Sequence, residues 1–477
     1  MIKNFNFSII TLILLSFIFS IFISNYNLSK YDVNVVDGDR SYHKMIKTDP
    51  YRYLSNGAEI KNQLKDGKNF FTTGGELYTK YLPSRLAAIY YYIFDINFSD
   101  DNKPGPQVNT GNHFYYLLIQ NLIYYFSIFF LYFSIKKNFN QIIVLSAVIF
   151  LCIEPTIFQY HGTFWSESIF FSLQVIIMAL IFKEKKSICS YFLIGLFVGI
   201  LSLQKQLAIF YIVPIIIFIF FFNKNKLISK LLLIMFGFGI IQTFLGLNNY
   251  YRSGEFYIMT ADTKVEMHRA LVRKVIMKAD NISSKQFNEI EGVAAFDWIK
   301  KNEIKIDENS SFLKISKSFM SYRESILNEK DKVSFDGFIR QRTFEYIFNY
   351  PWEFTKHVLK QSIHTTLLNP FHIYSEHNFR SSEIYYVSKK HDQLVLLRVA
   401  YSLFIFLIVG FGLLYFFKKK EYEKLFFILI SALYFYATIF WHGNTRYFVP
   451  CVIYLSFLFG AGLNYLIEFL NKKLNKG

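Results

Sequence analysis

The sequence is dominated by apolar segments about as long as a bilayer-spanning helix, and short clusters of lysine separate many of them. A transmembrane helix needs about 20 mostly apolar residues. Ten segments meet or approach this requirement and predict an all-α polytopic membrane protein: 7–24, 112–134, 140–157, 166–182, 188–204, 207–223, 228–247, 396–417, 424–441 and 446–468.

The composition supports this interpretation. Of the 477 residues, 53% are hydrophobic and 18% are charged, whereas soluble domains carry about 25% charged residues. Such a chain is not disordered, fibrous or a disulfide-rich scaffold. The formal net charge of +17 would suit a nucleic-acid partner, but many cations cluster between apolar segments, which is typical of membrane topology. We therefore expect a lipid bilayer, and no nucleic acid, as a partner.

The lysines are distributed asymmetrically across the predicted membrane. If the N-terminus is cytoplasmic, the inside segments carry 16 lysines, and the three short outside loops carry only Lys205 and Arg446. Cytoplasmic loops are rich in Lys and Arg, so both termini are predicted in the cytoplasm. The first segment ends in Ser24-Asn25-Tyr26 without a small-residue cleavage pattern, and we interpret it as a retained anchor.

This topology divides the chain into membrane and extracytoplasmic parts. The predicted order is a first transmembrane helix (1–24), an extracytoplasmic loop (25–111), helices two to seven (112–247), a large extracytoplasmic segment (248–395) and helices eight to ten (396–477). Within the first loop, residues 84–96 are too short to span the bilayer. They predict a helix in the membrane interface, with Tyr90, Tyr91 and Tyr92 at headgroup depth.

Carboxylates on the outer side are the first candidates for chemistry. Asp37 and Asp39 lie two residues apart, and Asp49 follows in the same loop. Such acids can accept a proton or bind a cation, but a turn at Asp37-Gly38 on a solvated loop explains two of them equally well. Glu167 begins the fourth predicted span, where an acid needs a partner or a polar cavity, or is simply favourable in the first turn of a helix.

Outer cations are the second group of candidates. Lys80 and Arg85 flank Leu82-Pro83 directly before the predicted interfacial helix, where they can hold a lipid phosphate or extend to the headgroups. Lys205 and Arg446 lie in short outer loops, against the charge bias, so each is either a functional cation or an interface anchor.

Several short sequence segments, taken together, resemble the pattern of a known protein family. Asp37 and Asp39 are followed by Tyr42, and then come GAEIKNQLKDG (57–67), LYTKYLPSRL (77–86), NYYRSGEF (249–256) and NTRYFVP (444–450). In this order, and with this layout of spans, the chain resembles the GT-C superfamily of membrane glycosyltransferases. The similar branch contains the bacterial protein mannosyltransferases and lipid A aminoarabinose transferases. Asp49, ahead of YRYLSNGAEI, is a second counterpart of the acid in that family.

The resemblance implies an inverting sugar transfer on the outer face of a bacterial cytoplasmic membrane. The donor would be a sugar on polyprenyl phosphate, and the acceptor a hydroxyl of a glycan, lipid or protein. The base would be Asp39, Asp37 or Asp49, and Glu167 would orient the acceptor or assist the base. The leaving phosphate would be stabilised by Lys80, Lys205, Arg85 or Arg446. We expect no metal and no other cofactor.

Three other functions remain open from the sequence. An O-antigen-type polymerase or ligase would rely on outer Arg and His, such as His372, His377 and Arg380. A multispan transporter would show repeated halves and ionisable groups at the membrane midplane. A non-catalytic scaffold would tolerate changes at Asp39 and Lys80.

Overall fold

The computed structural model describes residues 2–30, 34–37, 40–43, 49–69, 73, 81–96, 110–164, 166–184, 186–254, 256–258, 265, 267–367, 384–442 and 448–474. Nearly all of these residues are helical, so the predicted all-α polytopic fold is confirmed. The chain forms two compact units. The first comprises Met1–Thr243, His364–Thr438 and Thr445–Gly477, and the second comprises Phe244–Ile363 with Ile439–Asn444.

The elements up to residue 253 contain most of the apolar helices. In chain order they are α1 (Ile2–Lys30), β1 (Asn34–Asp37), β2 (Arg40–His43), α2 (Asp49–Lys65), α3 (Tyr81–Ile93), α4 (Thr110–Ile135), α5 (Gln141–Ile153), α6 (Pro155–Phe158), α7 (Glu167–Phe182), α8 (Ile188–Gln204), a 3₁₀ helix (Gln206–Tyr211), α9 (Ile212–Phe222) and α10 (Leu227–Ser253).

The elements after residue 253 begin with the shorter helices of the second unit. They are a π-helical turn (His268–Val272), α11 (Arg273–Ala279), α12 (Ser284–Lys301), α13 (Ser311–Ile315), α14 (Phe319–Ser325), α15 (Glu329–Asn349), α16 (Pro351–Leu367), α17 (Ile384–Lys419), α18 (Tyr422–His442) and α19 (Val449–Leu474).

Six helices within the described residues are long and apolar enough to cross a membrane: Ser8–Tyr26, His113–Ile135, Gln141–Phe158, Leu227–Arg252, Val395–Lys419 and Val449–Leu474. Three more predicted spans fall on the shorter apolar helices Glu167–Phe182, Ile188–Gln204 and Gln206–Phe222. The span predicted at 424–441 falls on α18. Each predicted span thus falls on one helix, or on two consecutive helices for 140–157 (α5 and α6) and 207–223 (the 3₁₀ helix and α9). The number ten and the orientation stay predictions.

A short antiparallel hairpin, which the sequence did not predict, follows α1. Strand β1 pairs with β2 in a backbone register that places Val35 opposite Tyr42 and Asp37 opposite Arg40. Val and Tyr are residues that favour strands. The two strands are joined by residues 38–39, which lie outside the described residues.

Glycines set a very close helix contact in the first unit, between α17 and α19. A Cβ atom on Gly412 would lie 1.9 Å from the Leu458 carbonyl oxygen, and one on Gly462 would lie 1.9 Å from the Ile408 carbonyl oxygen. Small residues let helix backbones approach each other in membranes, where van der Waals packing drives helix association. These glycines therefore fix the separation of the two helices.

The second unit has a core of aliphatic and aromatic side chains, with charged groups buried in it. Arg323 binds both carboxylate oxygens of Asp336, at 2.6 and 3.2 Å. Glu291 accepts from Arg342 at 2.6 Å and lies 3.0 Å from His268. Burial alone would raise the pKa of Glu291, but its bonds to His268 and Arg342 outweigh burial and lower it to about 2. Glu291 is therefore ionised and paired at neutral pH.

We predict that Gly412→Ala lowers the free energy of unfolding by about 1–3 kcal/mol, because the methyl group overpacks the contact with α19. Gly410→Ala is the matched control, since a Cβ at that position in the same helix meets nothing within 4 Å. The control should be neutral, or stabilising by up to about 1 kcal/mol through helix propensity. Thermal unfolding in detergent measures both variants, and equal melting temperatures would contradict the packing argument.

Candidate active site

A buried ion pair joins two of the residues singled out by the sequence. Lys205 Nζ lies 2.5 Å from Glu167 Oε1, and the two side chains are 2% and 0% exposed. Glu167 is the first residue of α7, and Lys205 follows the last residue of α8. The two helices run antiparallel, so both residues lie at the same end of the helix pair. An ion pair this deeply buried loses the hydration of both charges, so each charge is stabilised mainly by the other.

The local chain fixes the geometry of this pair. Lys205 adopts an extended conformation between α8 and the 3₁₀ helix, which directs its side chain back towards α7. The Gln204 side-chain amide donates to the Ser166 carbonyl oxygen at 2.8 Å, so two adjacent residues hold each side of the contact. Lys205 Nζ also lies 5.3 Å from the centroid of the Phe170 ring, one turn into α7.

Polar groups continue from this pair along the segment that precedes α7. His161 is fully buried; its Nδ1 lies 3.1 Å from the Ser168 hydroxyl, and its ring centroid lies 4.2 Å from that of Tyr124. Burial lowers the pKa of His161 to about 3, so its imidazole is neutral. The Gln120 side chain donates to the Thr163 carbonyl oxygen at 3.1 Å, which ties the segment to α4.

Two buried polar atoms here have no hydrogen-bond partner within the described part of the chain: His161 Nε2 and Gln204 Oε1. Buried polar groups in proteins are nearly always satisfied by protein, water or ligand. Beside the Glu167–Lys205 pair, Gln204 Oε1 can therefore accept a further hydrogen bond, and His161 Nε2 can accept or donate one according to its tautomer.

Glu154 is a buried acid that the sequence analysis did not select. It caps α6, accepting from the Ile157 amide at 3.0 Å and from the Thr156 hydroxyl at 2.7 Å, and the Tyr401 hydroxyl lies 3.4 Å away. Proline is favoured directly after such a cap. The Glu154-Pro155 pair at the end of an apolar segment could therefore have indicated this helix start from the sequence.

Arg85 lies at the second predicted cation position, on α3. It is 4% exposed, donates to the Thr73 carbonyl oxygen at 3.0 Å, and its guanidinium carbon lies 3.7 Å from the Tyr81 ring centroid. Arg85 therefore holds α3 and Thr73 together. A separate contact joins α2 to α3: Gly57 lets the two helices approach closely, because a Cβ there would lie 2.6 Å from the Cβ of Ala87.

The three tyrosines predicted at headgroup depth lie on different faces of α3. Tyr90 and Tyr91 are 4% and 0% exposed, and only Tyr92, at 55%, faces outward. The Tyr91 hydroxyl lies 3.0 Å from His113 Nε2 on α4. Consecutive residues of a helix are rotated by about 100° from each other, so the three rings point in different directions, and their depth in the membrane stays a prediction.

The other predicted site residues are described only in part. Asp39, Lys80 and Arg446 lie outside the described residues, and for Asp37 and Asp49 only the backbone is described, in β1 and at the start of α2. Within the described ranges, His, Cys, Asp and Glu form no group of three that could hold a metal ion.

A family comparison covers the segment that contains the buried pair. Residues 107–245 match the family model of the Dolichyl-phosphate-mannose-protein mannosyltransferases, a GT-C family. The predicted GT-C resemblance is confirmed. The matched segment includes both Glu167 and Lys205, and it extends from α4 into α10. No curated protein sequence matches the chain.

Two solved structures are similar to the chain along most of its length. One is the archaeal oligosaccharyltransferase AglB from Archaeoglobus fulgidus in complex with an inhibitory peptide and a dolichol-phosphate, with a TM-score of 0.46, 13% identity, and coverage of 97% of this chain and 51% of that one. The other is the apo Archaeoglobus fulgidus oligosaccharyltransferase, with a TM-score of 0.46, 12% identity, and coverage of 96% and 52%. The chain spans about half the length of these proteins.

We predict that Glu167→Gln and Lys205→Met each lower the free energy of unfolding by about 3–5 kcal/mol, since each leaves one buried charge without its partner. The double variant removes both charges and should lose much less than the sum of the single losses. Thermal unfolding of the four proteins in detergent completes the cycle. Additive losses would show that the two charges do not stabilise each other.

Proposed function

We propose that the chain is a multi-pass membrane glycosyltransferase that moves a sugar from a polyprenyl-phosphate donor to a hydroxyl of a glycan, lipid or protein. The observation that carries the proposal is the match of residues 107–245 to a family of dolichyl-phosphate-mannose mannosyltransferases, together with the buried Glu167–Lys205 pair inside that segment. We place the reaction on the extracytoplasmic face of a bacterial cytoplasmic membrane, following the lysine asymmetry.

The leaving group explains the need for cations. When the glycosidic bond breaks, negative charge grows on the phosphate oxygens, and preorganised positive groups stabilise it best where water is excluded. Lys205 is such a group, but Glu167 neutralises it in the absence of donor. A donor phosphate beside Lys205 would share its ammonium, and Glu167 would hold that ammonium in place.

Further cations extend the phosphate contact in this proposal. Lys80 and Arg446, from two different outer segments, are its candidates for direct contact with the phosphate. Arg85 is bound to Thr73 and stacked on Tyr81, so its role in this proposal is to hold the start of α3 beside Thr73.

A carboxylate would take the proton of the acceptor hydroxyl. Inversion needs one displacement and one general base, and no second carboxylate as nucleophile, unlike the retaining glycosidases. Asp39 is the first candidate, followed by Asp37 and Asp49. In this proposal Glu167 stays ionised and paired, so its role is to orient Lys205 and the acceptor.

The donor experiment separates binding from chemistry. We expect Lys80→Ala to weaken binding of a polyprenyl-phosphate sugar about tenfold or more, equivalent to about 1.4 kcal/mol. Lys68→Ala is its control, because Lys68 is an exposed lysine of the same outer segment. Binding is measured on the full chain in nanodiscs with a panel of donors. If no polyprenyl-phosphate sugar binds, the proposed function is wrong, and if a polyprenyl-diphosphate donor is used, the polymerase or ligase function replaces it.

The base experiment follows with the donor that binds. We expect Asp39→Asn to slow sugar transfer by about 10²–10⁴-fold, the usual contribution of a general base, while donor affinity stays unchanged. Asp66→Asn, which changes an exposed acid of the same segment, should transfer sugar at the wild-type rate. Wild-type turnover in Asp39→Asn would assign the base to Asp37 or Asp49, and the same substitution at each tests it.

A further inference from the structure

Helix α16 carries a stripe of exposed apolar side chains. Trp352, Leu359 and Ile363 are 70%, 57% and 62% exposed. At about 100° per residue, Leu359 and Ile363 each lie within about 20° of Trp352 around the helix axis. Single exposed apolar residues are normal on a protein surface, whereas a contiguous set marks an interaction site. This stripe therefore indicates an interaction surface.

The opposite face of α16 is packed on the core of the second unit. Phe354 is buried in a cluster with Leu271 and Phe287, and Val358 packs against the same cluster. Phe354 and Val358 lie about 200° and 240° around the helix axis from Trp352. The core therefore fixes the orientation of the helix and directs the stripe away from the second unit.

Lysines border the stripe on one side. Lys356 and Lys360 are exposed and lie about 40° and 80° around the axis from Trp352. Lysine can lay its alkyl chain on an apolar surface while its ammonium reaches polar groups, and tryptophan is enriched where a membrane meets water. An apolar face with Trp, next to a face with Lys, is typical of helices that lie in the membrane interface.

The end of α16 contacts a helix that is long and apolar enough to cross the membrane. The Ser402 hydroxyl of α17 donates to the carbonyl oxygen of Leu367, the last residue of α16, at 3.0 Å. Ser402 lies in the first third of the apolar segment Val395–Lys419. Ile363 precedes Leu367 by one helical turn, about 6 Å. The stripe therefore ends close to a membrane span, which favours lipid as its partner.

We propose that α16 lies in the surface of the bilayer, with its apolar stripe inserted among the lipid headgroups and Lys356 and Lys360 in contact with lipid phosphates. Interfacial helices bury their apolar face about 5–10 Å deep, and cations at that depth are attracted to phosphate. Lipid then covers one apolar face of α16, while Phe354 attaches the other to the core of the second unit. The proposal goes beyond sugar transfer and does not require it.

Tryptophan fluorescence tests the proposal on the full chain, in nanodiscs of phosphatidylcholine that is brominated on the upper part of its acyl chains. The emission that Trp352→Phe removes is the contribution of Trp352. We expect brominated lipid to quench most of this contribution and aqueous acrylamide to quench little of it. Trp298→Phe is the matched control, because Trp298 packs on the core of the second unit and stacks on Phe338 with ring centroids 5.3 Å apart. The contribution of Trp298 should be the same with and without bromine.

Variants of the stripe test whether its apolar side chains hold the helix in the lipid. Leu359→Glu places a charge where the proposal puts lipid, so it should reduce quenching of Trp352 by brominated lipid and increase quenching by acrylamide. Asn309→Glu adds the same charge at an exposed turn of the second unit and should change neither. If Leu359→Glu does not fold, Ile363→Glu replaces it.

Three results would overturn the proposal. If acrylamide but not brominated lipid quenches Trp352, the stripe faces water. If neither quenches it, protein covers the stripe, and the mass of the nanodisc complex shows whether that protein is a second copy of the chain. If brominated lipid quenches Trp352 equally in the wild type, Leu359→Glu and Ile363→Glu, the stripe does not hold α16 in the lipid.

Discussion

The contact between Glu167 and Lys205 is the interaction on which the candidate site depends. Both side chains are almost completely buried, so neither charge is hydrated, and each has lost several kcal/mol of solvation free energy. Only their mutual attraction and local hydrogen bonds offset that cost. The pair therefore ties the start of α7 to the end of α8. Any anion that approaches Lys205 competes with a carboxylate that is already in place.

The surroundings of this pair follow from the same constraint. Within hydrocarbon, backbone groups must be satisfied inside the helices, so polar side chains concentrate where helices end or break. Glu154 satisfies the first turn of α6, and Gln120 donates to the carbonyl oxygen of Thr163 in the connection that follows. His161 in that connection is buried and neutral. The non-helical segment between α6 and α7 is thus stabilised by the polar groups that line the candidate site.

The sequence predicted which segments form helices, but it did not predict which residues contact each other. Apolar length and lysine asymmetry identified the segments that form helices, and they selected Glu167 and Lys205 separately. Their pairing required the register of α7 against α8, since the two residues are 38 positions apart. The hairpin of β1 and β2 was missed because its strands are only four residues each. The burial of Tyr90 and Tyr91 could not be predicted, because composition indicates a helix in the interface but not which of its faces packs on a neighbour.

Lys205 is a single buried ammonium with a fixed counter-charge, so an approaching anion is stabilised only by redistribution of an existing pair. Preorganised charges stabilise growing negative charge best where water is excluded. A buried pair of this kind therefore suits charge that develops during a reaction better than it suits retention of a group that is already charged.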